Sequence, residues 1–129
     1  MRKSRNPETV HPPVDAYVHQ IEVSGNLRWL NLSGQIGMTK DKQLATGVES
    51  QLELALKNIS LNLTEAGMSI KDLTTAVFYF VDSIDLETRT KILKDFFGDQ
   101  EICMTLIYVK GLATPEIKVE VDVWACQQI

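Results

Sequence analysis

Hydrophobic and polar positions alternate from Tyr17 to Val23, with Tyr17, His19, Ile21 and Val23 on one face. That period of two predicts a half-buried strand. Ser24-Gly25-Asn26 is a turn signal, and Trp29 to Ser33 resumes the strand character, so a hairpin is expected. Ser33-Gly34-Gln35-Ile36-Gly37 reads as a strand end and loop, with Lys40-Asp41-Lys42 at its exposed tip. From Thr46 the period becomes helical. Val48, Leu52, Ala55, Ile59, Leu63 and Ala66 trace one stripe of a helix of about 20 residues. Thr46 and Glu49 have capping-box spacing, and Gly67 stands where a left-handed residue ends the helix. Leu54 and Leu61 fall off the stripe and need a cover of their own.

Thr74 to Val81 is a β-branched and aromatic run, apolar on both faces. Asp82 to Asp85 offers helix caps. A second amphipathic helix follows through Leu86, Arg89, Leu93 and Phe96, with Ile92 and Phe97 beside them, and stops at Gly98. Ile102 to Val109 and Ile117 to Ala125 read as two last strands. The final one sends Ile117, Val119, Val121, Val123 and Ala125 one way and Lys118, Glu120, Asp122 and Trp124 the other. The order β-β-α-β-α-β-β predicts an α+β domain, a mixed sheet with two helices on one face. The other face carries Glu120 and Trp124, with Trp29, Phe78 or Phe80. Large aromatics among carboxylates on such a face point to a covering subunit.

Composition narrows the class. The chain has 129 residues, 44% of them hydrophobic, with a formal net charge of −4. A chain of this size buries roughly two-thirds of its unfolded surface and needs no staples, but it has little room for a large private pocket. The longest apolar run, Ala76 to Val81, is far short of the about 20 residues of a membrane helix. No apolar stretch in the polar, Pro-rich first residues resembles a secretory signal, so a cytoplasmic protein is expected. Arg2, Lys3 and Arg5 against Glu8 make the first ten residues +2 and the remainder −6. The acidic body argues against nucleic-acid partners. Residues 1–11 are expected to be a flexible segment and 12–129 a single domain.

Motif chemistry is sparse. His11 and His19 lie eight apart without a carboxylate at helical spacing, and Cys103 and Cys126 form no Cys-x-x-Cys, so no metal is expected. His19 reads as a strand residue packing at the hairpin. Two cysteines in predicted strands read as buried, inert thiols. Ser33 lacks the strained elbow of a Gly-x-Ser-x-Gly nucleophile, and the glycines at 34 and 37 lack the companions of a phosphate loop. Glu120 is the sharpest candidate. Between valines on a covered face it would be partly desolvated, its pKa raised, and able to activate a water. Equally, it could be a solvated strand charge paired with Lys118 or Lys110.

These pieces resemble the RidA/YjgF family, also labelled endoribonuclease L-PSP or translation-inhibitor-like proteins. The resemblance runs through Tyr17-Val18, Ser33-Gly34-Gln35-Ile36, Gln51, Leu56-x-Asn58-Ile59 and Glu65-Ala66-Gly67. It continues through Val77-Phe78, Asp82, Asp85, Phe96-Phe97 and Lys118-Val119-Glu120-Val121. It implies a fold like that of the chorismate mutase of bacilli, assembled as a homotrimer with sheets inside, helices outside and ligand clefts between neighbouring subunits. In active members a cleft arginine grips the carboxylate of an enamine or imine, and water releases ammonia to leave a 2-oxo acid. Glu120 and Tyr17 match the residues that place that water and ligand. No cofactor is implied.

The arginine does not match. The family carries it in a Pro-Ala-Arg run opening the penultimate strand, where this chain reads Ile102-Cys103-Met104. A family asparagine in the second helix is replaced by Thr90, and the tyrosine after it by Leu93. The expected ligand-binding set is therefore Ser33, Gly34, Thr90, Met104 and Trp124, with Glu120 and Tyr17 as the catalytic pair. Three functional readings follow. One is a trimer binding a less anionic small metabolite without the usual deaminase activity. The second is an enamine/imine deaminase using Glu120 on a different substrate. The third is the RNA-cleaving or translation-inhibiting role, against which the acidic body counts.

Overall fold

In the computed structural model, which describes residues 1–129, the strands before the first helix are β1 (Arg2–Arg5), β2 (Gln20–Val23), β3 (Leu27–Asn31) and β4 (Gln35–Ile36). Then come α1 (Val48–Glu65), a 3-10 turn (Ile70–Asp72), β5 (Leu73–Phe80), α2 (Leu86–Phe97), β6 (Cys103–Tyr108) and β7 (Val119–Gln128). The main sheet runs β3-β7-β5-β6, with β4 also on β7. β5 and β6 are parallel, and the pairings of β7 are antiparallel. The sheet is mixed, as the period changes predicted, and the fold is α+β.

The core lies between this sheet and the helices. Leu52, Ala55, Ile59 and Leu63 of α1 meet Ala76, Phe78 and Phe80 of β5 and Val119, Val121 and Val123 of β7, all fully buried. Burying a side chain of this size contributes roughly 1.5–3 kcal/mol, so this interface dominates the fold's stability. Gln51 is buried beside it with every polar atom used. Its amide donates to the carbonyls of Ala45 and Glu116, and its oxygen accepts from the Lys118 N–H. Asn58 likewise donates to the carbonyls of Ile36 and Met38. Two α1 amides thus pin the loop that follows β4 against the helix.

Several sequence expectations are corrected. The basic N-terminal residues are not a flexible tail: Arg2–Arg5 is a strand, paired antiparallel with β2. Its Arg2 guanidinium donates to the carbonyls of Leu73 and Glu101, which ties the segment to the start of β5 and the approach to β6. β2 and β3 are consecutive across Gly25 (φ 111) but form no hairpin, because β2 pairs with β1 and β3 with β7. Tyr17 and His19 lie before β2. The ladder opens at Arg5↔Gln20, and Pro7, without an N–H, cannot extend it. His19 is held instead by side-chain bonds, its N–H donating to Asn6 Oδ1 and its Nε2 meeting the His11 carbonyl. Gly47, not Thr46, caps α1, with no side-chain hydrogen bond. Gly67 does adopt the left-handed conformation (φ 71) after α1.

The face opposite the helices is also reassigned. Phe78 and Phe80 point into the core, and Val77 and Tyr79 turn outward. Trp29 and Trp124 lie on the outward face, 54% and 49% exposed, in an edge-to-face pair with centroids 6.1 Å apart. Leu61 stays 58% exposed, so nothing within the chain covers the off-stripe leucine.

Candidate functional site

Three groups of candidate residues emerge, one on the helix side of the sheet and two on its outward face. The first lines a cavity of about 410 Å³ on the helix side. Helix α2 forms one wall with Arg89, Thr90, Leu93, Lys94 and Phe97, a set stepping along a single helical face. Asp85 starts that helix by accepting a hydrogen bond from the Thr88 N–H at 3.0 Å, and Gly98 (φ 58) ends it. The facing wall is the segment Asp15 to Val18. It is fixed by the Val18 N–H, which donates to the Ile102 carbonyl at 2.9 Å. Met104, two residues on in β6, opens into the same space and packs on the core. Tyr17, Thr90 and Met104 are therefore brought together.

Glu120, Ser33, Gly34 and Trp124 are not part of this cavity. The alternation of β7 decides that: Val119 and Val121 face the helices, so Glu120 must face away. There Gly34 leaves the Glu120 carboxyl its room, since a Cβ at position 34 would lie 2.2 Å from Glu120 Oε2 and 2.8 Å from Asp122 Oδ1. Ser33, beside it, is exposed, and its carbonyl accepts from Gln35 Nε2. Tyr79 stands opposite Glu120 in the ladder. Hydrogen bonding to Asp122, and the negative charges of Asp122 and Glu120, hold the Tyr79 hydroxyl above its usual range. Glu120 itself is pushed upward, first by burial and then by the charge of Asp122. Lys118 pairs with Asp82 at 3.6 Å and is in no ion pair with Glu120. The desolvated reading of this carboxylate is the one its surroundings support. A carboxyl with a raised pKa can exchange a proton nearer neutrality than an ordinary glutamate.

Trp124 belongs to a third place on the same outward face, a smaller hollow shared with Trp29, Ile21, Val23 and Cys103. Cys103 is half-buried and Cys126 buried; both are free thiols raised by burial. A raised thiol holds little nucleophilic thiolate, as expected for inert cysteines. The sequence reading missed Arg89, Lys94 and Asp15 in the cavity and Asp122 and Tyr79 beside Glu120. Arg89 was visible as a charge on an otherwise apolar stripe, four residues before Leu93 and eight before Phe97. Asp122 was visible two residues after Glu120 on the same strand face. Tyr79 had no signal, because the run from Ala76 to Val81 is apolar on both faces and does not declare which side points inward.

The chain is similar to several solved structures across nearly its whole length. One is a Rid-family protein of unknown function, YyfB from Yersinia pestis, with 26% identity, a TM-score of 0.82 and coverage of 98% of each chain. TdcF from E. coli, solved with bound serine, shares 23% identity with a TM-score of 0.69, covering 96% of this chain and 94% of that one. RidA from the Antarctic bacterium Psychrobacter shares 20% identity with a TM-score of 0.70, covering 95% of this chain and 98% of that one. No curated protein gives a significant match. The sequence pattern of the family described as Endoribonuclease L-PSP matches residues 8–127. With the pattern met over almost the whole chain and the Rid fold reproduced around it, this protein belongs to the Endoribonuclease L-PSP family, the Rid/YjgF proteins.

Proposed function

We propose that this Rid-family chain works as a homotrimer that holds a small metabolite in clefts between neighbouring subunits, and that it lacks the standard 2-imino-acid deaminase activity. The observation that carries this reading is Met104. It opens into the cavity of about 410 Å³ walled by α2, at the strand position where the family resemblance calls for the substrate-gripping arginine. A thioether offers no N–H donor and no charge, whereas a desolvated arginine–carboxylate contact can be worth several kcal/mol. Met104 makes the cleft apolar and adaptable instead. The bound serine of TdcF supports a small-metabolite role for the fold. The outward aromatic pair Trp29 and Trp124, with Ile107 40% exposed on the same face of the sheet, supports a covering subunit. Assembly would also bring the outward Glu120 cluster of one subunit toward a neighbour.

The test is ammonia release from freshly generated 2-iminopropanoate or 2-iminobutanoate. No release above the buffer rate is expected. Turnover matching an arginine-bearing family enzyme would overturn the reading. Sedimentation should give three times the chain's 14.5 kDa, and a monomer would remove the shared cleft.

The raised carboxyl of Glu120, seated against Gly34 beside Asp122, favours a second reading. In it the chain is a hydrolytic enamine/imine deaminase on another substrate, with Glu120 activating the water. Glu120→Ala would then abolish product formation while leaving ligand affinity intact. Loss of affinity alone counts for the binding role.

A further inference from the structure

Both tryptophans of the chain line one hollow of about 310 Å³ on the outward face, away from the Met104 cavity. The sheet builds its floor from a row of residues. Cys103 of β6 stands opposite Thr75 of β5, and Thr75 opposite Trp124 of β7. Between Leu73 and Thr75 the register of β5 on β7 slips. Thr74 and Thr75 therefore both line the hollow, where a regular pleat would turn one of them away. Ile21 and Val23 of β2 form a side wall. That wall is anchored through β1, whose Arg2 donates to the carbonyls of Leu73 and Glu101. Trp29 and Trp124 complete the lining edge-to-face, their ring planes 79° apart.

No charged side chain lines this space, so an ion entering it would give up hydration without a partner. A cation would also meet the field of the Arg2 guanidinium. Burial pushes the Cys103 thiol up, and the Arg2 charge is close enough to draw it partly back. Two indoles set almost at right angles offer a third ring one face to stack on and one edge to meet. The Thr74 hydroxyl is spent on the Trp124 carbonyl at 3.3 Å. The two indole N–H groups and the Thr75 hydroxyl have no hydrogen-bond partner in the chain and remain available to an acceptor. The volume suits one ring or two fused rings.

We infer that this hollow is a second binding site, selective for a small, uncharged, planar aromatic molecule with an acceptor for the Thr75 hydroxyl. It stands independently of the reading given to the Met104 cavity.

Trp29 and Trp124 are the only two tryptophans, so NMR of the intact protein has two indole N–H signals, both belonging to the hollow. Quinoline is flat, neutral at pH 8 and carries a ring-nitrogen acceptor; it should shift both signals saturably. Three contrasting probes should each bind at least about tenfold more weakly. They are cyclohexanone, with an acceptor but no aromatic face, tetramethylammonium, a cation, and naphthalene-2-sulfonate, flat but anionic. Trp124→Leu, its fold checked by thermal melting, should weaken quinoline by at least about tenfold. Thr75→Val, which keeps the shape and removes a donor, should cost about two- to tenfold. Tetramethylammonium or the sulfonate binding as tightly as quinoline would overturn the ligand class. Indole signals untouched by quinoline would overturn the site. So would signals that move only with protein concentration, which would give the hollow to a neighbouring subunit. A folded Trp124→Leu protein of unchanged affinity would overturn the stacking role, and an unchanged Thr75→Val protein the part given to that hydroxyl.

Discussion

Gly37 and Gly34 offer a paired perturbation in which one methyl group meets backbone and the other meets movable carboxylates. A Cβ on Gly37 would lie 2.4 Å from Gln51 Cα, 2.5 Å from its carbonyl oxygen and 2.8 Å from its carbonyl carbon, where ordinary contact begins at 3.4 Å. Relief requires the loop to retreat from α1 by close to the full shortfall. The loop cannot easily do so, because Gln51 holds Ala45 on one side and Asn58 holds Ile36 and Met38 around the glycine itself. Overpacking costs about 1–3 kcal/mol, and Gly37→Ala belongs at the upper end since backbone atoms have no rotamer to escape into. For a domain of this size that corresponds to a fall in Tm of roughly 10 °C. At Gly34 the atoms in the way are Glu120 Oε2 and Cδ and Asp122 Oδ1, the far ends of side chains that can turn outward. Gly34→Ala should therefore cost under about 1 kcal/mol while displacing the carboxyl from its partly buried seat. Thermal melts of both variants, with carboxyl titration of Glu120 by NMR, check the argument. Gly37→Ala should melt far lower with the Glu120 titration kept; Gly34→Ala should melt near wild type with Glu120 titrating closer to an ordinary glutamate. A Gly37→Ala protein within about 2 °C of wild type would refute the close approach. Equal destabilisation by the two variants would refute the distinction between backbone and side-chain neighbours.

Two further outcomes follow from the same geometry. The pKa of Glu120 is raised by folding above 4.5, so the folded chain binds that proton more tightly than the unfolded one. The carboxyl's contribution to stability is therefore complete below that pH and lost as pH rises through the raised value. Glu120→Gln should accordingly stabilise the fold relative to wild type at pH 8 and lose that advantage near pH 4 in parallel melts. A constant difference would show that the effect is packing, not ionisation. Asp85→Ala removes the acceptor of the Thr88 N–H at the start of α2 and should lower the midpoint of a urea titration.

Elements with one polar and one apolar face could be read directly from the order of residues. The α1 stripe, the α2 stripe and the β7 alternation each say which side is wet, because a half-buried element must repeat its pattern at its own backbone period. Met104 and Glu120 stood out too, through motifs held at set spacing. Where both faces are apolar the pattern carries no sign. For Phe78, Tyr79 and Phe80, only packing against α1 decided that the phenylalanines go in and the tyrosine out. Strand pairing was equally beyond local signals: Ser24-Gly25-Asn26 turns the chain, yet the partners of β2 and β3 lie 15 or more residues away in β1 and β7. The site shows the same division. Order along the chain marked Tyr17, Met104 and Glu120 as chemically interesting, but the pleat of β7 put Glu120 on the far side of the sheet from the other two. The docking of α2 beside β6 brought Arg89 to the cavity where Met104 stands, a meeting of residues 15 apart that no spacing rule on a strand or helix foretells. Sequence determined which faces must be buried and which side chains could do chemistry. Tertiary packing decided which of those side chains share a space, since that depends on contacts between elements and not on the period within any one of them.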